Sequence, residues 1–184
     1  DNSCVYTVEQ TVEFAPYSLN SLSLNIELDD PSVDNIFDGI NLIVASNDEP
    51  DFYVPSLGIN DIGDITYDMG FNLFTFGASS QSITLEGVPI DPSTEIPISA
   101  YVFNLIPYFP SECMDTDIAF SEIEDNVILV ANDEAEFYVP SLGTMSLTEV
   151  CPGEAYTVYT TSSMNFSYPS ADSQSRSSMY GYWE

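Results

Sequence analysis

Residues 47–58 read NDEPDFYVPSLG, and residues 132–143 read NDEAEFYVPSLG. Ten of the twelve positions are identical, at a spacing of 85. Each copy has the makings of a hairpin. Asn, Asp and Pro supply turn geometry, and Phe-Tyr-Val-Pro is a short returning strand. The strand leading into the turn is also doubled, as Asn41–Ser46 (NLIVAS) and Asn126–Ala131 (NVILVA). The chain is therefore read as one unit written twice.

Outward from the doubled turn the match continues. Residues 4–14 alternate, with Tyr6, Val8, Gln10 and Val12 on one side, which predicts a half-buried strand. Residues 18–27 alternate again, with Leu22, Leu24 and Ile26 as the inward set. Val33, Ile36, Phe37 and Ile40 fall at i, i+3, i+4 and i+7, the apolar stripe of a short helix. Ser32 or Asp30 is placed to cap it, and Asp34 suits its positive end. After the turn come a loop through Gly58 and Gly63 and the strands FNLFTF (71–76) and QSITLEGVP (81–89). In the second unit, residues 96–107 supply the strand matching 16–26, with Asn104 at the place of Asn20. Thr116, Ala119, Phe120 and Ile123 match the helical stripe, and AYTVYT (155–160) and SMNFSYP (163–169) match the last two strands.

The predicted fold is mainly β, a β-rich α+β arrangement of two pseudo-twofold repeats, each of short strands with one short helix. The expected divisions are an N-terminal strand (1–15), unit 1 (16–90), unit 2 (91–169) and a Ser-rich, aromatic tail (170–184). About 85 residues bury a modest core alone, so the halves are expected to pack on each other.

Thirty acidic residues stand against a single cation, Arg176, with no His, giving a formal net charge of −29. Such a chain has no cationic face for phosphates and is no nucleic-acid binder. It is equally unsuited to docking on anionic lipid. No apolar run approaches a bilayer span, so no membrane insertion is expected. A saline extracellular setting, at the cell surface or secreted, fits the charge best. The chain begins at Asp1 without a leader pattern, which predicts a mature product or a fragment. Of Cys4, Cys113 and Cys151, the last two fall in one unit and are the first choice for a disulfide. Three buried free thiols are the alternative.

The repeats resemble a tandem module of large secreted and surface proteins of Bacteroidetes-type bacteria. In that family each unit opens on a Gly-Trp-Asn strand. A short helix, an apolar strand, a turn, a Tyr-x-Pro strand, a glycine-containing loop and a Gly-aromatic strand follow. The matching residues are Ser18–Leu24 and Val102–Tyr108, the stretches PSVDNIFDGI and MDTDIAFSEI, Tyr53–Gly63, and Pro152–Tyr156. The likeness covers roughly residues 16–169. It departs where Gly-Trp becomes Ser18-Leu19 and Val102-Phe103, where Ser46 and Ala131 or Asn132 replace a usual Lys, and where Ala155 replaces Gly. The resemblance implies a structural or appendage module without catalytic residues.

The residues themselves point the same way. Without His there is no Ser/His/Asp or Cys/His arrangement, and no Gly-rich phosphate loop is present. Carboxylate-only chemistry needs two acids at a set separation, and Glu9, Glu13, Asp48, Glu49, Asp51, Asp133, Glu134 and Glu136 are candidates by residue type alone. The chain is read as no enzyme. Asp48, Glu49 and Asp51, with Asp133, Glu134 and Glu136, place hard oxygens in each turn, and calcium is the metal such ligands suit. The competing reading is a solvated turn. Tyr53 and Tyr138 recur and are candidates for stacking on a sugar or for the core. Tyr180, Tyr182 and Trp183 are candidates for self-association, lying against a neighbouring copy or against the chain's own fold. The expectation is a structural module that forms homo-oligomers or filaments. The alternative is a carbohydrate-binding adhesion module, with a glycan as partner and calcium as helper.

Overall fold

The computed structural model describes residues 6–169. The fold is mainly β, with several antiparallel sheets and two short helices.

In the first half, β1 (Val8–Phe14) is followed by β2 (Leu19–Leu22), β3 (Ile26–Glu27), the one-turn helix α1 (Val33–Ile36), β4 (Leu42–Ser46), β5 (Phe52–Val54), β6 (Ile59–Asn60), β7 (Phe71–Thr75) and β8 (Gln81–Pro89). In the second half come β9 (Ile96–Ile98), β10 (Phe103–Ile106), β11 (Met114–Asp115), α2 (Thr116–Ala119), β12 (Val127–Ala131), β13 (Phe137–Val139), β14 (Thr144–Met145), β15 (Glu149–Val150), β16 (Tyr156–Thr160) and β17 (Met164–Phe166). Two five-stranded sheets carry the fold, in the orders β2-β7-β4-β5-β6 and β10-β16-β12-β13-β14. The orders match strand for strand. Even the bulge recurs, between Leu42 and Val44 in β4 and between Val127 and Leu129 in β12. β1 pairs along β8, and β9 pairs with β17, so the first and last strands of each half lie together.

Local chemistry explains the doubled hairpin. Pro55 and Pro140 open a single 3-10 turn after β5 and β13, where a missing N–H costs nothing. Gly58 and Gly143 end it at φ 64° and 59°, in the left-handed region open to glycine.

Each half has its own apolar core. One gathers Phe14, Leu22, Val33, Ile36, Phe71 and Leu73, among others. The other gathers Tyr108, Phe120, Val130, Tyr156, Phe166 and Tyr168. Phe120 stacks on Phe166 at 5.3 Å, and Tyr168 meets Phe166 and Tyr108 edge-on at 4.8 Å. Cys113 and Cys151 are joined by a disulfide. Cys4 and the tail residues Tyr180, Tyr182 and Trp183 lie outside the described residues.

Four expectations change. The alternating strand expected over 18–27 is two, β2 pairing with β7 and β3 with β8. The strand expected over 96–107 is two strands, because Tyr101 turns the chain at φ 58° between β9 and β10. The helix ends at Ile36 rather than Ile40, with Gly39 at φ 79°. Neither Ser32 nor Asp30 caps it by a side chain. Asp30 instead accepts from the Ser32 amide at 3.1 Å, two residues on, and its bonds to Ser32 hold its carboxyl below the usual range. Asp34 accepts from the Tyr53 hydroxyl at 2.9 Å and the Asn60 amide group at 3.0 Å, tying the helix to the hairpin.

Candidate functional site

The two halves meet along a polar seam. Strand β2 is an edge strand, so Ser21 has a backbone N–H with no strand to receive it. It donates to Asp133 Oδ2 in the β12–β13 turn, at 2.7 Å. In the other direction the Leu105 N–H of edge strand β10 donates to Asp48 Oδ2 in the β4–β5 turn, at 3.2 Å. Each acidic turn thus caps the edge strand of the opposite sheet. Around this pair, Gly70 N–H donates to Leu105 O at 3.2 Å, and Ala155 N–H donates to Ser21 Oγ at 3.3 Å. Ser23, fully buried, donates its amide to Gly153 O at 2.9 Å and its hydroxyl to Glu154 O at 2.7 Å, and accepts from the Tyr108 amide at 3.1 Å. The equivalent of Ser23 is Pro107, which has no N–H, so this part of the seam is one-sided.

The remaining acids of the turns have more local roles. Asn132 closes the second turn by accepting from the Glu134 and Glu136 amides at 3.2 and 2.9 Å and donating to Glu136 Oε2 at 3.0 Å. Ala135 makes this possible at φ 63°. In the first turn Pro50 stands at that position, and its ring forbids a positive φ. Asn47 therefore lacks the partners Asn132 has, and its buried Oδ1 has no hydrogen-bond partner among the described residues. Glu49 is exposed and Asp51 half-buried. Among the described residues, no group of three or more His, Cys, Asp or Glu side chains is arranged to hold a metal ion.

Asp133, Glu134, Glu13 and Glu154 line a cleft of about 380 Å³ beside the seam, with Asn20 and Ser21 in its wall. Burial raises the Glu154 carboxyl above its usual range. A hydrogen bond from Tyr156, at 2.6 Å, opposes this, and Asp133, Glu134 and Glu136 add to it. Glu9 lies along a different groove, beside Val8, Gln10 and Phe109. The structure thus gathers Asp133 and Glu134 of one turn at a cleft with Glu13, and leaves the other candidate acids apart.

Tyr53 and Tyr138 are buried on the inner faces of their sheets and cannot stack on a sugar at the surface. Burial, and then the bond to Asp34, push the Tyr53 hydroxyl up to about 12. The exposed aromatics are others. Tyr17 and Tyr101 stand on equivalent turns at φ 56° and 58°. Buried Asn20 holds the first turn by accepting from the Ala15 amide at 2.7 Å and donating to Ala15 O and Ser18 O at 3.0 Å. Asn104 repeats this with Ser99 and Val102, and adds Val158 O at 3.1 Å. Tyr-x-x-Asn, recurring at a spacing of 84, was the available signal for these turns.

Both sheets also turn an apolar row outward. In the first it runs Leu19–Phe74–Val44 across β2, β7 and β4. In the second it runs Phe103–Tyr159–Leu129 across β10, β16 and β12, with the Phe103 and Tyr159 rings 5.0 Å apart. Leu19 is 51% exposed and Phe103 62%.

No family model matches the chain, and no match was found among curated proteins or solved structures.

Proposed function

We propose that the chain is a non-enzymatic extracellular structural module of a bacterial surface protein or filament, acting by self-association. The observation that carries this reading is the pair of equivalent apolar rows, Leu19–Phe74–Val44 and Phe103–Tyr159–Leu129, on the outer faces of two sheets. An otherwise heavily acidic chain keeps apolar surface open in the same place twice, and such patches mark interaction surfaces. The disulfide suits an oxidising compartment, and the acidic surface suits saline, where screening within about 8–10 Å relieves repulsion. The likeness of the repeats to surface-protein modules supports the same reading.

Sedimentation and negative-stain imaging in physiological salt test it. Assemblies that disperse when Leu19→Asp and Phe103→Asp are combined are expected. Monodisperse particles of 20.3 kDa at all concentrations would contradict it.

A second reading is a carbohydrate-binding adhesion module, helped by calcium. Exposed Tyr17 and Tyr101, repeated on rigid turns, favour it. Calorimetry against a glycan panel, with and without EGTA, decides it. Heat lost in Tyr17→Ala and Tyr101→Ala would support it, and no heat with any glycan would remove it.

A further inference from the structure

The two halves differ at one internal place. In the second half, β11 and β15 pair Met114 with Val150 and Asp115 with Glu149. In the first half the same position is the isolated bridge between Ser32 and Asp64. Pro31 and Ile65 therefore stand where Met114 and Val150 stand. Leu24 stands where Tyr108 stands, four residues after Asn20 as Tyr108 follows Asn104. In the second half Tyr108 occupies this space. Tyr108 is fully buried, lies edge-on to Tyr156 and Tyr168, and donates its hydroxyl to Glu112 O at 2.7 Å. The Cys113–Cys151 disulfide crosses beside it. In the first half the smaller Leu24 leaves an apolar cavity of about 240 Å³, lined by Leu24, Ile26, Pro31, Ile65, Tyr67 and Met69 among others. An apolar cavity of about 150 Å³ takes a benzene ring. This one has room for a phenol or an indole.

The chain itself offers the ring. Fifteen residues follow Pro169, and they hold Tyr180, Tyr182 and the single Trp183. They also hold Arg176, the only cation. With Asp172 and Glu184, residues 170–184 sum to +1 − 2 = −1, against −28 for residues 1–169. With so little net charge the tail approaches an acidic body of this kind with little repulsion.

We propose that the aromatic end of the tail, Met179–Trp183, of one copy seats the Trp183 indole in the Leu24–Met69 cavity of the next. The tail leaves the second half and the cavity lies in the first, so the contact is heterologous and repeats head to tail, as filament contacts do. The proposal rests on the self-association reading and names its partner and its socket.

Trp183 makes the test direct, because it is the chain's only tryptophan. In full-length protein its fluorescence should shift to the blue as concentration rises through the range where sedimentation shows assembly. Leu24→Tyr, which copies the second half, and Ile65→Phe, which fills the cavity from another lining residue, should each abolish both the shift and the assembly while circular dichroism stays unchanged. A blue shift independent of concentration would place the tail on its own copy and overturn the proposal. Assembly with Trp183 still at its solvent-exposed wavelength would overturn the socket and leave self-association standing. No assembly at any concentration would overturn both.

Discussion

Asp133 Oδ2 accepts a 2.7 Å hydrogen bond from the backbone amide of Ser21, in the opposite half of the chain. Asp48 does the same for Leu105. Bonds to a charged acceptor are the stronger kind, and an edge-strand amide left without a partner is costly. Asp133→Ala and Asp48→Ala are each expected to lower stability by about 1–3 kcal/mol. The longer Asp48 bond should be the weaker of the two. Urea denaturation of the single and double variants checks this.

Gly70 packs tightly against the second half. A Cβ there would meet Leu105 O at 2.7 Å and the Ala155 Cβ at 2.8 Å. The two chains of atoms are backbone or fixed, so neither can move aside cheaply. Gly70→Ala is expected to destabilise by about 1–3 kcal/mol, read as a lower urea midpoint. An unchanged midpoint would mean that the seam can open without loss.

The second turn holds Ala135 at φ 63°. A residue with a Cβ is strained there by about 1–2 kcal/mol. Ala135→Gly should remove most of that strain and raise the melting temperature, although glycine's freer unfolded chain offsets part of the gain. Ala135→Pro, which copies Pro50, should break the bonds Asn132 makes to the Glu134 and Glu136 amides and lower it.

Glu154 has its carboxyl raised by burial and by Asp133, Glu134 and Glu136, against the opposing bond from Tyr156. A carboxylate raised in the folded state favours folding as pH falls through its folded pKa, and its charged form costs stability above that point. Glu154→Gln keeps an acceptor for Tyr156 and removes the charge. It should be more stable than the parent at pH 7, with the difference fading as pH falls through the carboxylate range. A lower melting temperature at pH 7 would contradict the assignment.

The Cys113–Cys151 bridge closes a separation of 38 residues. Loop-closure entropy puts its worth at about 3–4 kcal/mol. The double variant Cys113→Ser, Cys151→Ser should lose about that much in urea denaturation.

Much of the β architecture could be read from alternation. Gln81–Pro89 forms β8 with those bounds because its alternate residues face the core and solvent in turn. The doubled turn was legible because Asn, Asp and Pro act locally. The seam was not. Alternation shows which side chains face inward, but nothing in it tells that the Ser21 amide meets an acid 112 residues later. The same blindness made Asp48 and Asp133 look like ligands, since an acid in a turn reads alike whether it faces water, a metal or a backbone amide. Tyr53 and Tyr138 were ambiguous for a similar reason: a strand residue's period does not say which face of its sheet is covered. The break at Tyr101 is not legible because positive φ is rare for an aromatic residue, and Asn104 stabilises it through bonds to Ser99, Val102 and the distant Val158.

The reciprocal capping of edge strands is tested most directly by amide hydrogen exchange of Ser21 and Leu105. Both amides should be protected in the parent chain. In Asp133→Ala the Ser21 amide should exchange faster while Leu105 stays protected, and Asp48→Ala should do the reverse. Unprotected amides at both positions in the parent, or protection unchanged by either substitution, would contradict it.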